Sequence, residues 1–422
     1  MAKYKIQLIT LLVLSVAFWP SLQGQEVINA NISDLIGTEI NNLPGASTNV
    51  YASPGGSDLT AWEGIIDLIL DKNFSEVANK ATDVGYTLSH VKDNTGSGTL
   101  DLYLLRRTSG SNYWGTYVFN NDPDRAQLVI QSPHAIKDTN TGLEGVYVFR
   151  QTGARAFFLT GTNRCNSSTK TSCSGTTSVC GSGSEKYRIS DVAHNDKSAF
   201  QIVTEKLNDA ESNYFIQLHG FSKKSTDPYV IMSLGARGVN GTNKLPDIQQ
   251  ALFEQDAVLT FQSSTNTSWT RLLGFTNTQG RYINQSSNPC SNDAAIANGR
   301  FIHLEQELSR LRSGTTQWSK MAEALAAAFP SQKTVTAVGD QGFHELAIHL
   351  FPNPVNHQLT VHNELGNNLK LKMMTLDGRT VLSQVIVLGT AITRVDYLDR
   401  GVYLYQISDH SKLVKSGKLI KH

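Results

Sequence analysis

Leu128-Val-Ile-Gln-Ser-Pro-His134 and Phe215-Ile-Gln-Leu-His219-Gly220 are built alike: each is a short apolar run that ends in a histidine. Runs of this length, bounded by turn residues, mark strands buried on both faces, the kind found inside a parallel sheet. Gly299-Arg-Phe-Ile-His-Leu-Glu305-Gln-Glu307 repeats the pattern with carboxylates at its end, and the strand Ala156 to Thr160 is followed closely by Asn163-Arg164. Helical spacings lie around them. Trp62, Ile65, Ile66, Ile69, Leu70, Phe74, Val77 and Ala78 fall at spacings of three and four across 60–82, and both Ser198 to Leu207 and the Ala-rich Gln317 to Phe329 read as helices. Leu100 to Arg106, Trp114 to Asn120, Gln127 to Gln131, Tyr214 to Leu218 and Tyr229 to Leu234 read as strands. The second and third of these are expected to form a hairpin through Asn121-Asp122-Pro123-Asp124. Helices alternating with strands imply an α/β layer architecture around a mixed sheet, whose strand ends meet in one crevice.

Composition narrows the classes further. With 422 residues the chain has room for two or three domains, and 40% hydrophobic residues exclude wholesale disorder. A net charge of +1 carries no basic excess that would point to nucleic acid. Lys3 and Lys5 precede an apolar run from Ile6 to Trp19 and a short polar stretch, the pattern of a secretory signal peptide cleaved near Gly24. Without residues 1–24 the count is 35 basic against 36 acidic residues, or −1, and no later stretch is long enough to span a membrane. In an oxidising compartment the four cysteines, Cys165, Cys173, Cys180 and Cys290, are expected to form two disulfides that pin loops, in any of three pairings. None of their spacings is the CxxC of a zinc site.

The text changes after Pro330. Seven short alternating runs, the first at Ile348 and the last ending at Ile420, are separated by turns such as Asp377-Gly378 and Asp399-Arg400-Gly401, and this reads as a small β-sandwich. Phe351-Pro-Asn-Pro-Val, Leu376-Asp-Gly-Arg-Thr-Val, Leu398-Asp-Arg-Gly-Val-Tyr-Leu-Tyr-Gln-Ile and Lys415-Ser-Gly-Lys-Leu-Ile-Lys occur in that order. The segment resembles the C-terminal sorting domain of the type IX secretion system of Bacteroidetes. That resemblance implies handling by the type IX machinery, passage across the outer membrane, and release or attachment at the cell surface. The division is then a signal peptide at 1–24, an α/β domain at 25–335, a linker at 336–347 and the sorting domain at 348–422.

Candidate chemistry lies upstream. His134, with Asp138 four residues on, and His219 stand at strand ends, where two histidines and an acid form a three-ligand zinc site with an open position. Zinc would acidify a water while a carboxylate takes its proton, and an arginine fork would steady an oxyanion or a substrate carboxylate. Glu305 and Glu307 are the candidate bases, and His194 in Asp191-Val-Ala-His-Asn is a reserve ligand or a rim residue.

The order of these elements over residues 115–312 resembles the zinc carboxypeptidase superfold, in particular its branch of N-formylglutamate amidohydrolases and poly-γ-glutamate hydrolases. The resemblance implies that His134, Asp138 and His219 hold zinc, that Asn163 and Arg164 contact substrate, and that Glu305 or Glu307 is the general base. Two departures stand out: His-x-x-x-Asp replaces His-x-x-Glu, and Gln217 stands where the branch has Asp before Leu-His. The expectation is an exported zinc-dependent hydrolase of an amide or peptide bond, with an α/β zinc-hydrolase-like domain ahead of the sandwich. A surface adhesin or glycan-binding module is the alternative. A serine hydrolase is disfavoured because no Gly-x-Ser-x-Gly elbow is convincing, and nucleotide binding because no P-loop or dinucleotide pattern occurs.

Overall fold

The computed structural model describes residues 27–96, 98–208, 212–332, 348–363, 368–409 and 412–422. The signal peptide expected at 1–24 and the linker expected at 336–347 lie outside the described residues. Ten strands form one mixed sheet: β1 Val27–Asn29, β2 Tyr86–Asp93, β3 Leu100–Arg107, β4 Thr116–Asn120, β5 Arg125–Ser132, β6 Ala154–Leu159, β7 Tyr214–Phe221, β8 Val230–Ser233, β9 Phe261–Ser263 and β10 Phe301–Glu307. Their spatial order is β1-β2-β3-β4-β6-β5-β7-β10-β8-β9. The central four, β6-β5-β7-β10, are mutually parallel, with antiparallel neighbours at β4 and β8.

Helices cover both faces. On one side α1 Ile32–Asn41, α4 Thr141–Thr152, α6 Leu245–Gln255 and α8 Thr315–Ala328 pack on the even-numbered residues Ile130, Ile216, Leu218, Ile302 and Leu304. On the other, α2 Ser57–Leu70, α3 Phe74–Ala81, α5 Ala199–Asn208 and α7 Thr278–Ile283 pack on the odd-numbered Val129, Phe215 and Phe301. This alternation is the period-2 pleat of strands buried from both sides.

Two local expectations are corrected, and one helix is added to those expected. The hairpin does not form: β6 lies between β4 and β5, antiparallel to the first and parallel to the second. Four loop residues reach about 13 Å, enough to step over one strand at about 4.8 Å spacing. The helix expected at 60–82 is two, because Lys72 turns left-handed at φ 57° and ends α2. The helix α4 carries Gly142 and Gly145, which weaken its sequence signal; a methyl group on Gly145 would run into Ser132 and Phe157, so glycine lets α4 close on the sheet.

The seven strands expected near the C-terminus are all present: β11 Ile348–Phe351, β12 Gln358–Asn363, β13 Leu369–Met374, β14 Thr380–Ile386, β15 Gly389–Arg394, β16 Gly401–Asp409 and β17 Lys412–Lys421. They form two antiparallel sheets, β11-β12-β15 and β14-β13-β16-β17, which enclose a common core including Leu359, Leu371, Ile386 and Ile407. Among the described residues no helix is long and apolar enough to cross a membrane.

One buried acid in the α/β domain has a measurable consequence. Glu144 on α4 is fully buried with no hydrogen-bond partner at either carboxylate oxygen, and burial pushes it up from 4.5 to about 8 against the weaker pulls of Gln306 and Arg312. The folded chain therefore holds a proton there that the unfolded chain releases. Stability from this group is complete below pH 4.5 and is lost as pH rises through about 8. Glu144→Gln should match wild type in urea melts at acid pH and exceed it progressively toward pH 8, by up to about 1.4 kcal/mol per pH unit. Parallel pH profiles for the two proteins would contradict this.

Candidate metal centre

The crevice is layered along the sheet. Val129, Phe215 and Phe301 stand side by side on β5, β7 and β10, and Gln131, Gln217 and His303 follow two residues on; two further along, His219 neighbours Glu305. All share one face, so each central strand runs from an apolar residue to an amide or imidazole, and β7 and β10 continue to a functional group at the carboxyl end. His134 lies just beyond β5, in a turn where the Asp138 N–H donates to the His134 carbonyl at 2.9 Å. That single helical turn puts the two side chains on one side, which is why a spacing of four serves.

Three ligand-type atoms converge. His134 Nδ1 lies 3.2 Å from Asp138 Oδ2 and 3.1 Å from His219 Nδ1, and His219 Nδ1 lies 3.3 Å from Asp138 Oδ2. The opposite nitrogens fix the protons: His134 Nε2–H donates to Asp191 Oδ1 at 2.8 Å, and His219 Nε2–H donates to Gln217 Oε1 at 3.0 Å. Both Nδ1 atoms therefore present lone pairs to each other and to a carboxylate, inside a site where all three residues are buried. Ligands about 2.0–2.2 Å from a tetrahedral zinc stand about 3.4 Å apart, so this donor set fits a zinc ion in both type and spacing. The Gly220 N–H also donates to Asp138 Oδ2 at 3.2 Å and holds that carboxylate in place.

The electrostatics agree. Burial raises Asp138, but His134 and His219 outweigh it and hold the carboxyl well below its usual range. Burial lowers His219 to about 4, against the pull of Asp138, which leaves it neutral at pH 7. At His134 burial and Arg164 act downward, while Asp191 and Asp138 outweigh them and raise it. Glu305 is 8% exposed, and burial followed by Asp138 pushes it up to about 8. Its Oε2 has no hydrogen-bond partner, and its Oε1 is 3.9 Å from His303 Nε2. Glu305, His303 and His219 form a second group whose candidate ligand atoms lie within 4.8 Å of one another.

The other expected site residues are placed as follows. Arg164 uses Nε and Nη2 on Asp191 Oδ2, at 2.9 and 2.5 Å, which leaves Nη1 facing the centre 3.3 Å from His134 Nδ1. Asn163 turns its Oδ1 to the Cys165 N–H at 2.9 Å. His194 is outside the triad: its Nδ1 bonds the Thr276 carbonyl at 2.9 Å and its ring stacks on Tyr187 at 3.6 Å. Glu307 is also outside, because its carboxylate accepts from the Ser309 and Arg310 N–H groups and caps the turn that follows. The cysteines pair as Cys165–Cys180 and Cys173–Cys290, bracing the segment 165–190 that lies between Arg164 and Asp191. Gly274, at φ 64°, lies against the His303 ring, where an added Cβ would stand 2.8 Å away. Sequence reading passed over Asp191, although it sits in the quoted Asp191-Val-Ala-His194 run; an acid that contacts a ligand's far nitrogen leaves no spacing signal.

Residues 349–422 match the family described as the secretion system C-terminal sorting domain. The C-terminal sandwich is a type IX secretion sorting domain. It marks the chain as secreted or displayed at the cell surface. No curated protein matches the chain. Among solved structures, the chain is similar to a candidate carboxypeptidase A from Shewanella denitrificans, at 13% identity and TM-score 0.28, over 59% of this chain and 65% of that one. It is also similar to a candidate metallopeptidase from Shewanella baltica, at 10% identity and TM-score 0.24, over 62% and 88%. A third is a metallo-carboxypeptidase from Pseudomonas aeruginosa, at 12% identity and TM-score 0.26, over 60% and 68%. The chain thus spans less than two thirds of the first of these, and what the site can do is read from its own atoms.

Asp191 is 1% exposed and joins Arg164 to His134. Asp191→Asn removes one partner of a buried ion pair and leaves a guanidinium unpaired, so chemical denaturation should report a loss of about 3–5 kcal/mol. A loss within the range of an exposed substitution, below about 0.5 kcal/mol, would contradict that reading of Asp191.

Proposed function

We propose that this protein is an exported, zinc-dependent hydrolase that cuts an amide or peptide bond outside the cell, with a peptide or a glutamyl amide as substrate class. The observation that carries the proposal is the meeting of His134 Nδ1, Asp138 Oδ2 and His219 Nδ1 within 3.3 Å of one another, with the Glu305 carboxylate, whose Oε2 has no hydrogen-bond partner, beside them.

His134, Asp138 and His219 would hold the metal, with Glu305 and Arg164 beside them. A bound zinc would supply Lewis acidity there, acidifying water and polarising the scissile carbonyl. Glu305 is the general base. Burial raises its carboxyl to about 8; a cation alongside would favour the carboxylate, which would take a proton from water and hand it to the leaving nitrogen. Arg164 Nη1, held by the two bonds of its neighbours to Asp191, faces the negative charge that develops on the carbonyl oxygen. His303, lowered well below its usual value by burial and by His219, is neutral and adds no competing positive charge. Asn163 and His194 are the residues proposed to contact the rest of the substrate.

Glu305→Gln should leave zinc bound and reduce turnover of peptide or glutamyl amide substrates by about 10² to 10⁴. Glu307→Gln, which touches only a turn, should leave turnover close to wild type. The reverse ranking, or two silent variants in an active preparation, would remove Glu305 from the proposed role.

A further inference from the structure

Gln217 occupies an unusual place for a glutamine. It lies two residues before His219, on the same face of β7, and is completely buried. Its Oε1 accepts from His219 Nε2 at 3.0 Å and from Asn277 Nδ2 at 2.7 Å, while its Nε2 donates to Gln131 Oε1 and Gln279 Oε1, both at 3.0 Å. An amide reverses its hydrogen bonding when it turns over, so the ends must be assigned from groups that cannot reverse.

Three such groups surround this network and agree. The Val192 carbonyl can only accept, and it takes Gln279 Nε2–H at 2.9 Å, which turns Gln279 Oε1 toward Gln217 Nε2. The Gly280 N–H can only donate, and it gives to Asn277 Oδ1 at 2.9 Å, which turns Asn277 Nδ2 toward Gln217 Oε1. The Phe200 carbonyl accepts the Thr204 hydroxyl proton at 2.9 Å, so Thr204 Oγ1 accepts from Gln131 Nε2 at 2.8 Å and Gln131 Oε1 is left for Gln217. Every route fixes Gln217 with its carbonyl oxygen toward His219.

We infer that Gln217 is a positioning residue for the metal centre: a buried amide network, anchored on three backbone groups, forces His219 to carry its proton on Nε2 and to offer Nδ1 to the metal. The inference rests on the zinc reading of His134, Asp138 and His219. His134 reaches the same state through a charged acceptor, Asp191, whereas His219 reaches it through a neutral one. The neutral acceptor adds no third anion to a site that already holds Asp138 and Asp191. A turned-over Gln217 would face His219 Nε2 with an N–H, drive the proton to Nδ1 and close the ligand position.

The test uses the purified full chain labelled with ¹⁵N-histidine, stripped of metal, and long-range ¹H–¹⁵N spectra of the imidazoles, with His219 assigned by its loss in His219→Asn. Zinc affinity is measured in parallel by competition with a chelating dye. Wild type should show His219 as the Nε2–H tautomer. Gln217→Leu should shift it toward Nδ1–H and weaken zinc binding by about 10- to 100-fold. Gln217→Glu, which keeps an acceptor facing Nε2 while losing both donor bonds, should retain the tautomer and the affinity even where thermal stability falls. A wild-type His219 protonated on Nδ1 overturns the inference, as does a Gln217→Leu protein unchanged in both tautomer and affinity. Wild type with the Nε2–H tautomer but no zinc binding would sink the metal centre, and the positioning role with it, while the hydrogen-bond assignment of Gln217 to His219 would stand. If Gln217→Leu fails to fold, the wild-type spectrum and Gln217→Glu decide, since loss of affinity in the glutamate variant also overturns it.

Discussion

Two imidazole nitrogens and a carboxylate oxygen meet within 3.3 Å in a buried space, and a bound cation, as proposed, would offset the crowding of their lone pairs. Much of the surrounding structure secures that meeting. The parallel block β6-β5-β7-β10 sets the strand ends in one row, the turn after β5 sets His134 above Asp138, and the amide network behind β7 sets the proton of His219. Arg164 supplies positive charge at the edge, but its bonds to Asp191 hold it beside the triad rather than within it.

The 165–190 segment and its disulfides make sense in the same terms. A loop from 165 to 190 without regular helices has little of its own to order it, and two cross-links limit the conformations it explores when unfolded. Arg281, almost fully buried, donates to the Phe275, Pro289 and Cys290 carbonyls and to Ser174, tying the loop around Cys290 to the segment that passes over His303. A secreted or surface-displayed chain with 17% charged residues braces this segment with covalent bonds and polar contacts rather than with a second core.

Much of this was legible in the sequence because the strands are buried on both faces. Phe215-Ile-Gln-Leu-His219 and Phe301-Ile-His-Leu-Glu305 alternate between the two cores, so the polar residue of each odd position had to lie on one side and near one end. The seven C-terminal strands were legible because one face of each is wet, which leaves clear alternation and turn signals. Strand order was not: nothing local in Asn121-Asp122-Pro123-Asp124 reveals that β6 will slip between its flanking strands. The choice between Glu305 and Glu307 also lay beyond the sequence, because it depends on where the strand ends and Glu307 turns to cap the backbone. Gln217 read as a departure from a pattern, and only its partners show what a neutral acceptor does there.

The most direct measurement is the metal content of the purified folded chain, set beside His134→Ala/His219→Ala. About one zinc per chain in wild type and none in the double variant is the result expected of a three-ligand centre. A folded wild-type protein that takes up no metal even after incubation with zinc would contradict it, and with it the hydrolase built on these residues.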